Sequence, residues 1–126
     1  MFKKAVKMVS EMQIKFTSNG KTMQATLESN NAAKHFYQLL PLTLKVEDFA
    51  NAEKIATLPE KLNLQGLPAG TDAIAGDITY YAPWGNLALF YKQQSYANGL
   101  IKLGKITGDS QFFKSLGQAD VTIEPL

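Results

Sequence analysis

The 126-residue chain contains no cysteine, no arginine and a single histidine, His35. Without cysteine it has no disulfide, no thiolate metal site and no cysteine nucleophile. All 13 basic residues are lysines, so the planar, bidentate binding of carboxylate or phosphate that arginine provides is excluded. A metal site with several histidine ligands is excluded as well. We therefore predict neither a bound metal nor a cofactor.

Excess charge and long apolar runs are also scarce. The formal net charge is +2 at pH 7, and it arises within residues 1–11, because lysines and carboxylate residues balance over residues 12–126. A neutral body argues against nucleic acid as the main partner. No stretch is long enough to span a membrane, and the basic start lacks the apolar run of a signal peptide. We expect a flexible leader over residues 1–11 and a cytoplasmic protein.

The remaining composition is typical of one folded domain, predicted to cover residues 12–126. Hydrophobic residues make up 45% of the chain and charged residues 19%, which is a globular balance with enough apolar material for a core. The sequence contains no internal repeat and no linker. We expect a monomer or a weak homodimer.

Alternating apolar and polar residues predict that most of the chain forms short β-strands. The first two strands are expected to form a hairpin around Asn19 and Gly20, a pair that favours the positive φ angles of a tight turn. Residues 76–92 are predicted to form a second hairpin around a turn from Pro83 to Asn86. Further strands are predicted over residues 42–46, 54–58, 61–64, 99–107 and 120–124, with loops over residues 65–76 and 93–98.

Two short helices are predicted between these strands. Ser29 and Asn30 are typical helix N-caps, and the helix that follows must end at or before Leu40 because Pro41 restricts the preceding residue. A second helix over residues 111–116 would end at Gly117. About eight or nine strands with few helices favour a mainly β fold, a closed or nearly closed barrel, since closure removes exposed strand edges.

Aromatic residues of the second hairpin are the candidate ligand-binding residues. Trp84 lies in the turn, where it either caps a barrel mouth or contacts a ligand or a protein partner. Tyr81 and Phe90 occupy the alternate face of the strands, as core or as the floor of an apolar groove. Tyr96 is a candidate for the rim of that groove. Lys105 is a candidate because it follows Gly104, where a ligand or another chain can approach closely.

Other polar residues carry weaker arguments. His35 falls between the apolar positions of the first helix, so we expect it to face solvent without a metal or catalytic role. Glu47 and Asp48 are adjacent on a strand and point to opposite faces, so they cannot act as a carboxylate pair. No phosphate-binding loop or nucleophile elbow is present.

Five segments, in this order and spacing, resemble the cyclophilin-like family of small prokaryotic proteins, which are outlying relatives of the true cyclophilins. They are Met12-Gln-Ile-Lys-Phe16, Leu27-Glu-Ser-Asn-Asn-Ala-Ala33, Gly76-Asp-Ile-Thr-Tyr-Tyr-Ala-Pro83, Leu87-Ala-Leu-Phe-Tyr91 and Leu103-Gly-Lys-Ile106. The resemblance implies a closed eight-stranded cyclophilin-like β-barrel with one or two short capping helices.

The resemblance does not bring a catalytic site with it. True cyclophilins are peptidyl-prolyl isomerases that use an arginine, beside a pocket of phenylalanine, tryptophan, leucine and histidine. This chain has no arginine, and its His35 lies on the early helix, so no catalytic residue is carried over. We predict a noncatalytic module that binds a small molecule or a peptide in an aromatic groove. The alternative is a weak, divergent peptidyl-prolyl isomerase.

Overall fold

The structure is a computed structural model that describes residues 12–126; the leader predicted over residues 1–11 lies outside the described residues. The described chain forms eleven strands, one α-helix and one 3-10 helix. In chain order the elements are β1 Met12–Ser18, β2 Lys21–Leu27, α1 Asn31–Gln38, β3 Leu42–Lys45, β4 Glu47–Phe49, β5 Glu53–Thr57, β6 Gly70–Ala73, β7 Asp77–Tyr81, β8 Asn86–Phe90, β9 Gln94–Asn98, β10 Leu100–Ile106, the 3-10 helix Phe113–Leu116 and β11 Asp120–Pro125.

Nine antiparallel strands form one barrel-shaped sheet in the order β3-β11-β1-β2-β10-β7-β8-β5-β4. Its two edge strands, β3 and β4, are separated only by the buried Val46. One bent stretch of chain therefore pairs with β11 through its first half and with β5 through its second, which leaves the barrel nearly closed. The mainly β barrel predicted from the sequence is confirmed. Counted as one bent strand, β3 and β4 make the expected eight.

The interior of the barrel is filled by the inward-facing residues of alternate strand positions. Ile14 and Phe16 of β1 are fully buried, and the ring of Phe16 meets Phe113 of the 3-10 helix edge to face, with centroids 5.4 Å apart. Phe36 of α1 is also fully buried. Each such side chain contributes about 1.5–3 kcal/mol of hydrophobic stabilisation, so the helix is held to the barrel mainly through its apolar face.

Helix α1 begins and ends as the sequence predicts. The side chain of Asn30 accepts a hydrogen bond from the Ala33 amide at 2.8 Å and donates another to the Lys102 carbonyl at 3.1 Å. The cap thus satisfies a free helix amide and also joins the helix to β10. The helix ends at Gln38, ahead of Pro41. The second predicted helix is only the four-residue 3-10 turn before Gly117.

The strand predicted over residues 61–64 is wrong. The amide of Leu62 donates to the Tyr80 hydroxyl at 3.2 Å, and the amide of Asn63 donates to His35 Nδ1 at 2.9 Å. Because side chains take these donors, the segment forms no strand ladder. His35 does not simply face solvent either, since its side chain is 24% exposed and its Nε2 lies 2.9 Å from Glu60. With Nδ1 accepting, Nε2 carries the proton and donates to that carboxylate.

The two loops predicted over residues 65–76 and 93–98 are also corrected. They contain β6 and β9, which pair with each other as a separate two-stranded sheet. This small sheet packs over the outer face of the second hairpin, around the buried Ala73, Phe90 and Leu100. The strands are short and polar, so local composition resembles a loop, and only the pairing of distant segments makes them strands.

None of the helices in the described part of the chain has the length and apolar character needed to cross a membrane.

Candidate functional site

A cavity of about 200 Å³ opens on the outer face of the second hairpin, under the edge of the small β6–β9 sheet. Its aromatic lining consists of Phe49, Tyr81, Trp84 and Phe90. Three of these residues are candidates predicted from the sequence, so the structure brings Tyr81, Trp84 and Phe90 together around one cavity. A concave, largely apolar site with a few polar groups is the usual form of a small-ligand pocket.

The register of the second hairpin places its side chains on two faces. Tyr81 of β7 lies opposite Asn86 of β8, and cross-strand partners share a face of the sheet. Phe90 follows Asn86 by an even number of residues, so it lies on that same face. The alternate residues, among them Tyr80 and Leu89, are buried in the main core. The two-faced hairpin predicted from the sequence is therefore confirmed.

Trp84 stands at the mouth of the cavity with 57% of its surface exposed. Its ring meets Tyr81 edge to face, with centroids 5.3 Å apart and planes at 87°. On the other side it meets Phe49 in the same way, at 5.5 Å and 86°. The three rings of Phe49, Tyr81 and Trp84 together form an aromatic corner. It leaves aromatic surface in contact with water, which a ligand would cover.

The turn that carries Trp84 is anchored to the end of β9. The amide of Ala82 donates to the Gly99 carbonyl at 2.9 Å, and the amide of Gly85 donates to the Tyr81 carbonyl at 3.0 Å. Gly99 has a φ of 89°, and a Cβ there would lie 2.8 Å from Cδ of Pro83. Only glycine allows this contact without a shift, so the backbone itself holds the turn in place.

Glu53 is the one charged residue among those that line the cavity. It lies opposite Phe49 on β4 and opposite Phe90 on β8, so a row of aromatic, acidic and aromatic side chains crosses three strands. Burial, with a smaller contribution from the charge of Asp48, raises the pKa of Glu53 to about 7. The other polar groups of the lining residues are the Asn86 and Gln94 amides, the Tyr81 hydroxyl and the Trp84 indole N–H.

A second polar cluster lies behind this row, on the opposite face of the same strands. The buried Lys54 ammonium is 3.3 Å from Asp48, and the Tyr91 hydroxyl donates to the same carboxylate. The Tyr91 hydrogen bond is the main cause that holds the pKa of Asp48 below its usual value, although burial opposes it. Burial first, and the Asp48 hydrogen bond second, raise the pKa of Tyr91 to about 12. Within this cluster the charges of Lys54 and Asp48 compensate each other, and Glu53 is not part of it.

The other two candidate residues lie away from the cavity. Tyr96 is 61% exposed, does not line the cavity, and its ring lies over the backbone of Gly70. Lys105 lies opposite Asp77 in the register of β10 with β7. Leu100, at the other end of β10, lies opposite Tyr81. The close approach predicted at Gly104 is that of the neighbouring strand, since a Cβ there would lie 2.3 Å from the Thr26 carbonyl oxygen.

Several lining residues were missed in the sequence, among them the fourth aromatic residue, Phe49, and the charged residue, Glu53. Phe49 precedes a turn in which Ala50 and Asn51 both have positive φ, and the region looks like a simple break in the strand pattern. Glu53 had a usable signal: it is two residues before Ile55, so extending the predicted strand by one residue places it on the Ile55 face.

No cluster of three or more histidine or acidic residues within residues 12–126 is placed to hold a metal ion.

Comparisons with known proteins agree with the barrel. The model of the cyclophilin-like family matches residues 16–124. A hypothetical protein from Archaeoglobus fulgidus, whose structure was solved in solution, superposes with a TM-score of 0.66 over 93% of this chain and 96% of that chain, at 15% sequence identity. At this identity the likeness shows the fold alone. No curated protein matches the chain.

Proposed function

The chain belongs to the cyclophilin-like family, and on that premise we propose that it is a noncatalytic binding module. Its ligand is a small molecule or one side chain of a peptide, held in the cavity beside the aromatic corner. The observation that carries the proposal is the convergence of four aromatic residues from three separate strands and a turn on a single cavity.

Exposure of the rings supports binding. Trp84 is 57% exposed and Phe49 is 41% exposed, although both stack against neighbours that hold them in place. Rigid aromatic side chains offer a large contact area at low conformational cost, which is why they are enriched at binding sites. Water that covers them in the free protein would be released when a ligand binds.

The polar lining supports binding over catalysis. It includes one carboxylate and no basic side chain, and its other polar groups belong to Tyr81, Trp84, Asn86 and Gln94. Rotation about a prolyl bond has a barrier of about 18–20 kcal/mol, and true cyclophilins place an arginine at the prolyl amide. A weak isomerase remains the alternative, because an apolar cavity can take a prolyl amide out of water.

Nuclear magnetic resonance tests both functions in one sample. X-Pro peptides and a set of small fragments are titrated into the isotope-labelled protein. We expect shifts at Tyr81, Phe90 and the Trp84 indole, loss of binding in W84A, and no acceleration of cis/trans exchange in the peptides. I74A is the control, because Ile74 is 61% exposed but does not line the cavity.

Other outcomes decide against the proposal. Shifts confined to residues outside the cavity, or equal binding by W84A and the unaltered protein, would overturn the assigned pocket. Faster peptide exchange that disappears in W84A would make the protein an isomerase without arginine.

A further inference from the structure

We propose that the cavity selects organic ammonium cations, which are held by the Glu53 carboxylate and by the faces of the aromatic corner. This inference rests on the proposed function, because it names the ligand class for the same cavity.

The negative charge of the Glu53 carboxylate is unbalanced. No lysine or histidine among residues 12–126 forms an ion pair with Glu53. Lys54, the residue after Glu53, points to the other face of β5, where its ammonium lies 3.3 Å from Asp48 and 5.9 Å from the centre of the Tyr91 ring. The cavity therefore carries one carboxylate whose counter-charge is not supplied by the described chain.

The arrangement of the aromatic rings also favours a cation. A cation is attracted to the face of an aromatic ring, most strongly to that of tryptophan, and groups of such rings bind quaternary ammonium ligands. Trp84 stands nearly perpendicular to both Phe49 and Tyr81, so the three rings present surfaces in different directions around one mouth. A neutral apolar guest would cover the rings but would supply no counter-charge, so Glu53 would have to take up a proton. A cationic guest satisfies both features.

The size of the cavity limits the ligand. The cavity measures about 200 Å³, whereas sites for drug-sized ligands span about 300–1,000 Å³. It is suited to a head group and not to a whole cofactor. A free alkylammonium compound and a methylated lysine side chain of a peptide share this chemistry, and the experiment distinguishes them.

Proton linkage gives the inference an independent readout. The free Glu53 carboxyl has a pKa of about 7, raised by burial and by the Asp48 charge. Tyr81 lines the same cavity as Glu53, whereas Lys54 and Tyr91 face away from it toward Asp48. A bound cation favours the ionised carboxylate, so binding near neutral pH should release a proton and should weaken as the pH falls below the Glu53 pKa.

The test compares choline with 3,3-dimethylbutan-1-ol, which has the same shape but a neutral carbon in place of the charged nitrogen. Affinities are measured by calorimetry in buffers of different ionisation enthalpy. We expect choline to bind at least about tenfold more tightly than the neutral alcohol, which corresponds to about 1.4 kcal/mol, with release of a proton. E53Q should remove most of this preference, whereas E124Q, which removes a β11 carboxylate that does not line the cavity, should not.

A peptide that carries trimethyl-lysine forms a second arm. Tighter binding of the peptide than of choline would identify a protein partner as the source of the cation, and the reverse would indicate a free small molecule. Equal affinity for choline and the alcohol, with both lost in W84A, would overturn the cation inference and leave the binding pocket standing. Failure of every cationic probe to bind would overturn it too, while the fragment and X-Pro titrations decide the pocket separately.

Discussion

Glu53 and Phe90 lie directly opposite each other on adjacent antiparallel strands. Phe49 lies opposite Glu53 on its other side, so the carboxylate is flanked by aromatic side chains on both neighbouring strands. This row places an acid in apolar surroundings at the floor of the cavity, and it explains why burial is the largest cause of the raised Glu53 pKa. The same placement has consequences for stability, for acid tolerance and for ligand binding.

Replacing Glu53 with glutamine should stabilise the protein at alkaline pH. The pKa of Glu53 is raised from 4.5 to about 7 on folding, so the folded state binds the proton more tightly. The free energy of unfolding should therefore fall as the pH rises between these two values and stay level above them. E53Q should remove this slope, with a gain of about 1 kcal/mol near pH 8 and almost none near pH 4 after allowance for partial exposure. Urea unfolding at both pH values measures it, and an equal effect at both would contradict the assignment.

Replacing Asp48 with asparagine should have the opposite sign. The pKa of Asp48 is lowered, chiefly by the Tyr91 hydrogen bond and then by Lys54, so its contribution is complete above the ordinary pKa and is lost as the pH falls through the folded value. D48N leaves the buried Lys54 without its anion, and we expect a loss of about 1–2 kcal/mol at neutral pH. The loss should shrink in strong acid. D72N, at the exposed Asp72 of β6, is the control and should change unfolding little; a loss from D48N that is independent of pH would argue against the ion pair.

Truncating Trp84 should affect binding far more than stability. Trp84 is 57% exposed, whereas Tyr80, on the core face of the hairpin, is 1% exposed. We expect W84A to cost less than about 1 kcal/mol of unfolding free energy, and Y80A to cost about 3–5 kcal/mol. Chemical denaturation followed by circular dichroism compares them. Unfolding of W84A at moderate denaturant would show instead that Trp84 is a structural plug.

A methyl group at Gly99 should disturb the aromatic corner through the backbone. Gly99 and Gly20 both have positive φ, at 89° and 77°, but only Gly99 has a close neighbour, Pro83 at 2.8 Å from the added Cβ. G20A should cost about 1 kcal/mol from backbone strain alone. G99A should cost about 2–3 kcal/mol, since it adds a steric clash, and should shift the Trp84 indole resonance. Equal losses from the two variants would mean that the turn yields without strain.

Local patterns carried much of the fold. The Asn19–Gly20 turn, the Asn30 cap and the halt before Pro41 each depend on the conformational preference of one or two residues, so they were predictable and are found in the structure. The faces of Tyr81 and Phe90 follow from the two-residue period of a strand. The strand predicted over residues 61–64 was wrong because alternation alone does not supply a partner strand. Here the side chains of His35 and Tyr80 accept hydrogen bonds from the backbone amides instead.

A mainly β barrel and an aromatic hairpin with two apolar faces are predictable from the sequence alone, because periodicity and turn chemistry act between near neighbours in the chain. Tertiary contacts alone bring Phe49 and Trp84 together, pair β6 with β9 and place Glu53 between two aromatic residues. Those features depend on register between strands that are distant in sequence. Burial, pKa and the shape of a cavity are set by such neighbours, so they exist only once the barrel has closed.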